Sequence, residues 1–370
     1  SESKVIMKSI TLNPSGIQKT KNLELNPNKK ELLKTSFLLQ DEKITSPYWL
    51  QEKGTIGMYK VNDQELIGLP NTPRNISVAF HMSIDGVSIT FIKEVVHRYA
   101  KRDKGELYQP FEVLPKVTSS LKEDVLVFAD HKSKEVQVTL RAGDAQVKGE
   151  IELSVGKGWS VTPKSIPFEI LKRGATTEVS FSVTPPKNQS EAEISVIARV
   201  DGKTYDKELI TIAYEHIPTQ SVLKYSTAKV VRLNIKKKGN SIGYIQGAGD
   251  VVPESLEQIG YDVTIVKPEN ISLANLQKFD AVVMWIRAYN TVEELKFKQI
   301  EILKYVEFGG NLIVQYNTTG RKGVDVGAPY TLNVSRDRVT DENAKVVFID
   351  KNHDLLNIPN KITKEDFDGW

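Results

Sequence analysis

Asn240-Ser-Ile-Gly-Tyr-Ile-Gln246, followed by Gly247-Ala-Gly249-Asp250, opens the stretch to Tyr316 whose reading decides the fold. Ser241 to Gln246 is a short apolar run. Val251 to Ile259 predicts a helix with Pro253 in its first turn, where a missing N–H costs nothing, and Gly260 ends it. Tyr261-Asp-Val-Thr-Ile-Val266 is the next strand, Leu273 to Phe279 a short helix, and Ala281-Val-Val-Met-Trp-Ile286 a solid apolar strand. Thr291 is placed to cap a longer helix through Phe308, with Glu293 and Glu294 in its first turn. Gly309-Gly310 closes that helix, and Asn311-Leu-Ile-Val-Gln-Tyr316 is a fourth strand. Strands alternating with helices imply a parallel sheet covered on both faces. Beyond a polar loop (Asn317 to Pro329), Ala344-Lys-Val-Val-Phe-Ile349 predicts a fifth strand, and Asp350 to Trp370 a tail.

Upstream the pattern is all β. Lys4 to Leu12 alternates weakly, Leu32 to Leu39 is an apolar run, and Ile76 to Ile84 and Val87 to Ile92 flank Asp85-Gly86, a two-residue hairpin signal. These imply an antiparallel sandwich over residues 1–114, with Val113-Leu-Pro115 as linker. Glu135 to Leu140, Lys148 to Val155, Phe168 to Leu171, Thr177 to Val183, Glu193 to Val200 and Lys207 to Ala213 then give a second sandwich of about seven short strands, residues 115–220, of immunoglobulin-like type. Tyr214 to Ala228 reads as a connector. The expected architecture is two β-sandwiches followed by a parallel α/β domain over 229–370, truncated at its C-terminal end.

The 370 residues carry 50 Lys and Arg against 47 Asp and Glu, a net charge of +3 without the basic stripe of a nucleic-acid binder. No run reaches the roughly 18 apolar residues of a membrane span. The absence of cysteine excludes disulfides, thiolate metal sites and a Cys nucleophile. Ser1-Glu-Ser-Lys4 reads as a processed or internal start, and Asp366-Phe-Asp-Gly-Trp370 as a break inside a longer protein.

Gly247-Ala-Gly249 occupies the place of a phosphate-binding turn. A dinucleotide fingerprint asks for a third glycine at 252, which is Val252, and Asp250 would oppose an incoming phosphate. A tight strand-to-helix turn is the better reading. After Tyr316, a hydrolase of this layout carries Gly-x-Ser/Cys-x-Gly; this chain has Val314-Gln-Tyr-Asn-Thr-Thr-Gly320, and neither Thr318 nor Thr319 has a base nearby in sequence. None of the five histidines (81, 97, 131, 216, 353) is spaced as a zinc pair. What is left is a polar crevice where open sheets bind ligands: Gln246 and Gly247 after the first strand, Arg287 and Tyr289 after the third, Tyr316 and Asn317 after the fourth, and His353 after the fifth. No catalytic residue, metal site or cofactor is expected in the chain, and Trp159 reads as core rather than as a sugar-stacking platform.

Tyr244-Ile-Gln-Gly-Ala-Gly-Asp-Val-Val-Pro-Glu-Ser-Leu-Glu-Gln-Ile-Gly-Tyr261-Asp-Val resembles the C-terminal region of long PIG-L (LmbE-like) deacetylases of Bacteroidetes-type bacteria. His353 to Trp370 and Gly105-Glu-Leu-Tyr-Gln-Pro-Phe-Glu-Val113 resemble the same region. The middle, with Gly158-Trp159 and Gly174 to Pro186, looks like the Ig-like domain associated with carbohydrate-binding (NPCBM) modules. The α/β part is similar to class I glutamine amidotransferase-like, flavodoxin-like folds with the nucleophile position lost. In that family a His-Pro-Asp-Asp motif of an N-terminal domain holds zinc, and no such motif occurs here. The resemblance implies a non-catalytic accessory region with the zinc deacetylase domain upstream in the same polypeptide, carbohydrate as a partner, and an exported, periplasmic or outer-surface location. Two other readings compete: a cryptic enzyme using the α/β crevice, and a structural spacer or oligomerisation module.

Overall fold

The computed structural model describes residues 3–36, 44–55, 57–74, 76–217, 219–249, 251–318, 327–332, 334–335, 337–341 and 343–367. It is mostly β, in several sheets.

β1 (Val5–Asn13), β2 (Ile17–Leu25), β3 (Ser77–Ile84) and β4 (Val87–Glu94) form one antiparallel sheet in the order β2-β1-β3-β4. Asp85 and Gly86 turn β3 into β4 with positive φ at both positions, as the dipeptide predicts. β5 (Val96–Lys101) and β6 (Gly105–Pro110) make a separate hairpin. The expected N-terminal sandwich is therefore corrected: among the described residues this region has one four-stranded sheet and a hairpin, with no second sheet facing the first. Among the described residues, the chain between β2 and β3 contributes no strand to such a layer. Residues 26–36 hold no strand, Phe37 to Leu39 lie outside the described residues, and 44–74 form an arm with two short 3-10 turns, Tyr48–Leu50 and Gln64–Leu66.

The next strands close a true sandwich. β7 (Val117–Leu121), β8 (Val125–Phe128), β9 (Lys134–Ala142), β10 (Val147–Val155), β11 (Ser160–Thr162), β12 (Ile166–Ile170), β13 (Thr176–Thr184), β14 (Ser190–Val200) and β15 (Lys203–Tyr205) precede the hairpin of β16 (Lys207–Ile212) and β17 (Gln220–Tyr225), and β18 (Thr227–Arg232) follows. One sheet runs β12-β10-β14-β18-β8, with β15 beside β14; the other runs β11-β13-β9-β7. Alternate residues point inward, so Val136, Val138 and Leu140 of β9 meet Ile194, Val196 and Ala198 of β14 in one continuous core. Trp159 lies in that core, edge-on to Phe128 at 5.1 Å, with its indole N–H donating to Ser190 Oγ. The stretch expected as a connector supplies β17 and the first two residues of β18, and β18 pairs in parallel with β8.

The parallel unit follows. β19 (Ser241–Ile245), α1 (Val252–Gln258), β20 (Asp262–Ile265), α2 (Leu273–Leu276), β21 (Ala281–Met284), α3 (Ala288–Thr291), α4 (Leu295–Glu307) and β22 (Leu312–Val314) give a four-stranded parallel sheet ordered β20-β19-β21-β22. α2 and α4 cover one face and α1 the other. Two expectations need correction. Thr291 caps nothing: its hydroxyl donates back to the Arg287 carbonyl, closing α3, and Glu294 stands at the start of α4. Ala344 to Ile349 forms no strand, and Ile349 is 100% exposed. Among the described residues the tail holds only α5 (Asp354–Asn357) and a 3-10 turn, pinned where Asn360 exchanges hydrogen bonds with the Lys236 backbone. No helix among the described residues is long and apolar enough to cross a membrane.

Candidate binding site

The structure brings most of the expected crevice together and employs it in holding the fold. Gly247 follows β19 and lies so close to the next loop that a Cβ there would stand 2.8 Å from the Ile286 carbonyl oxygen and 3.1 Å from Ala288 N. The two loops therefore touch backbone to backbone, where a phosphate would need space. Arg287, left-handed at φ 59°, donates its N–H to the Tyr316 carbonyl at 2.7 Å. Tyr289 donates its N–H to the buried Asn317 Oδ1 at 3.2 Å, and Asn317 Nδ2 donates to the Gln315 carbonyl. Asn290 and Thr318 exchange a further pair. Gln246 is exposed beside this knot. His353 does not join it: its Nδ1 accepts the Leu355 N–H and caps α5. Asp250, Thr319 and Gly320 lie outside the described residues. Tyr289 is only 1% exposed, and burial pushes its phenol pKa up.

The prominent cavities lie elsewhere, around the arm. Thr45 pins the arm to the link between β6 and β7 at Val113, donating its N–H to the Val113 carbonyl and accepting the Val113 N–H on its hydroxyl. Tyr48 donates its N–H to Thr72 Oγ1 and its hydroxyl to the Leu69 carbonyl, and packs edge-on to Trp49 at 4.8 Å. Under this turn is a cavity of about 430 Å³ lined by Ser46, Gln51, Asp63, Thr72, Arg74 and Phe111, among others. Arg74 and Glu112 pair at its wall at 3.4 Å, their side chains 9% and 10% exposed, and Ser221 donates its hydroxyl to the same carboxylate. The buried Ser46 Oγ has no hydrogen-bond partner among the described residues.

Where the arm crosses the sandwich, a groove of about 700 Å³ runs between Leu50–Gly54 and the outer side chains of β14 and β17, with Glu193, Ser195, Lys224 and Tyr225 on its wall. A third space of about 410 Å³ continues it along Trp49, Met58 and Tyr59. Glu52 borders both. Hydrogen bonds from Lys60 and Asn62, with the charge of Lys60, hold its carboxyl below the usual range, so it is ionised at neutral pH. Lys207 lies over the Tyr225 ring. These three spaces gather hydroxyls, amides, balanced charges and aromatic faces, and no histidine lines them. Such a wall orients a polyhydroxylated or peptide-like chain by hydrogen bonds and stacking. Among the described residues no three His, Asp or Glu side chains converge as a metal-ligand set. In the sequence this seam has one local signal, Tyr48-Trp49, an aromatic pair within a polar, Pro- and Gly-containing stretch.

No protein-family model matches the chain, and no curated protein matches it. Among solved structures it is similar to Escherichia coli alpha-2-macroglobulin spanning domain MG7 to the C-terminus, at 10% identity and a TM-score of 0.21, over 32% of this chain and 16% of that one. It is also similar to WR4, a C. elegans MSP family member (6%, TM-score 0.20, 31% of this chain and 98% of that one). A third likeness is to a family 123 glycoside hydrolase from Clostridium perfringens (8%, TM-score 0.21, 53% and 37%). At these scores the likenesses decide neither fold nor function.

Proposed function

We propose that this chain is a non-catalytic accessory region of a PIG-L-type, N-acetylglucosaminyl-class deacetylase, and that it positions the catalytic domain on a glycan or a partner through the groove between arm and sandwich. The observation that carries the reading is the groove itself: an open, continuous space with hydroxyl, amide and carboxylate groups beside exposed aromatic rings and no histidine. In this reading the sandwich is of the immunoglobulin-like, NPCBM-associated kind, and the parallel unit is a flavodoxin-like, amidotransferase-like domain whose nucleophile position is held by Tyr316 and Asn317. The β20-β19-β21-β22 order supports the latter. Zinc belongs to the upstream domain, and the location is exported.

Titration calorimetry with soluble N-acetylglucosamine oligomers tests the proposal. Saturable binding is expected, weakened about fivefold or more in Tyr225→Ala, which removes a stacking face worth about 1 kcal/mol or more. Absence of binding, or binding that Tyr225→Ala leaves untouched, overturns the groove as the glycan site. Acetate release by the chain alone overturns its non-catalytic character. A second reading, catalysis in the α/β crevice, has one observation in its favour: Arg287 is held left-handed there, a conformation that carries strain in a non-glycine residue. It requires turnover that Tyr316→Ala abolishes.

A further inference from the structure

The outer edge of the N-terminal sheet is open. β4 pairs with β3 on one side, and among the described residues nothing pairs with the other. All eight of its residues are exposed. Edge strands ordinarily block pairing between chains with a proline, a bulge or a charge. From Val87 to Ile92 β4 has none: its register against β3 is unbroken from Ile84↔Val87 to Ser77↔Glu94, and its first charge is Lys93. Val87, Ile89 and Phe91 share one face with Phe80 and Met82; Ser88 and Thr90 share the other with His81 and Ser83.

A two-fold antiparallel pair must keep each face on its own side, which restricts the register to an axis through a single residue. With the axis at Phe91, Ile89 would face the partner's Lys93. With the axis at Thr90, Val87 would face it. With the axis at Ile89, Ile89 meets its own copy, Val87 meets the partner's Phe91, Ser88 meets the partner's Thr90, and Asp85 meets the partner's Lys93 at both ends. Only the last sets apolar against apolar and charge against opposite charge. Neither charge has a counter-ion at home: Asp85 accepts the Lys4 backbone N–H through Oδ1, and no ion pair joins Asp85 or Lys93 to a described residue.

We propose that β4 is a homodimerisation edge, at which two copies of this chain join antiparallel about Ile89 into one eight-stranded sheet. Each copy then covers Val87, Ile89 and Phe91 of the other's edge, and the assembly closes at two because each sheet spends its β4 edge. A dimer also doubles the arm groove, whatever that groove binds.

Sedimentation equilibrium of the full chain across a concentration series tests this. A reversible monomer–dimer equilibrium is expected for the wild type. Ile89→Lys places two like charges on the axis and is expected to give monomer, whereas Ile92→Lys, on the opposite face and off the axis, keeps the dimer and shows that a lysine in β4 does not unfold the sheet. Lys93→Glu is expected to weaken association about tenfold, as facing like charges do, and Asp85→Lys with Lys93→Glu to restore it. A wild type that stays monomeric throughout, a dimer indifferent to Ile89→Lys, or growth beyond two copies overturns the proposal.

Discussion

Gly247 shows how a single residue separates two functions that look alike in sequence. The turn Gly247-Ala-Gly249 is compatible with phosphate binding, yet Gly247 is small because the Ile286–Ala288 backbone lies against it. Gly247→Ala is expected to cost about 1–3 kcal/mol in urea unfolding, the range for overpacking against groups that cannot move aside; an unchanged midpoint would show that space exists there. Asp280 is the second residue whose role is measurable. Its carboxylate accepts the N–H groups of Asn240 and Ser241 at 2.8 and 2.9 Å, and the Ser241 hydroxyl at 3.1 Å, tying the start of β19 to that of β21. Those bonds hold its folded pKa below the ordinary value. A lowered folded pKa contributes stability that is present above the unfolded pKa, about 4, and lost as pH falls through the folded one. Asp280→Asn should therefore flatten the acid limb of the stability–pH curve below about pH 4, where the free carboxylate would protonate, and a variant with an unaltered acid limb would remove Asp280 from this role. Residue roles set by backbone chemistry were legible: Asp85-Gly86 turns, and Gly260 ends α1 at φ 93°. Thr291 was not, because a hydroxyl that caps a following turn and one that closes a preceding turn look identical in sequence.

Elements are legible in the sequence where their pattern is local and obscure where their partner is distant. Strands β9, β10, β13 and β14 alternate cleanly and lie where the alternation predicts. Thr227–Arg232 has equally good strand composition, yet its partners, β14 and the parallel β8, stand far away in the chain. Ala344 to Ile349 is the converse: composition favours a strand, but no neighbouring strand accepts it among the described residues. The contact between sandwich and parallel unit is likewise non-local. Gln258, at the end of α1, accepts the Val127 N–H at 2.7 Å and donates to the Val125 carbonyl, so its side chain completes the edge of β8. Lys134 donates its ammonium to the Gln258 and Val127 carbonyls from a half-buried position, and desolvation lowers its pKa. Gln258→Ala leaves the Val127 N–H without a partner, an expected loss of about 1 kcal/mol. Faster hydrogen exchange at Val127, with Val138 in the core of β9 unchanged, is the signature; equal protection in both proteins would refute the seam.

At the scale of the molecule, the two well-formed units differ in how they bury apolar surface, and that difference fixes the order in which they unfold. The sandwich has one continuous core shared by both sheets. The parallel unit divides its core into two clusters on opposite faces of a sheet of three- to five-residue strands; the α1 face is covered by one short helix, and Ile265 and Ile313 are exposed on the edge strands. Burial drives folding in proportion to apolar area removed from water, and units joined by a few hydrogen bonds open separately. The parallel unit should therefore lose its fold at lower urea than the sandwich. The chain carries reporters for both: Trp285 is buried in the α1-side cluster and Trp159 in the sandwich core. Keeping one of these tryptophans while replacing the other three, including Trp49 and Trp370, by phenylalanine isolates each signal. Trp285 fluorescence is expected to change first and Trp159 second, and Gln258→Ala should widen the interval by lowering the Trp285 midpoint alone. Superimposed transitions would mean that the seam at Gln258 welds the two units into one cooperative body, and the weight assigned to separate cores would then be wrong.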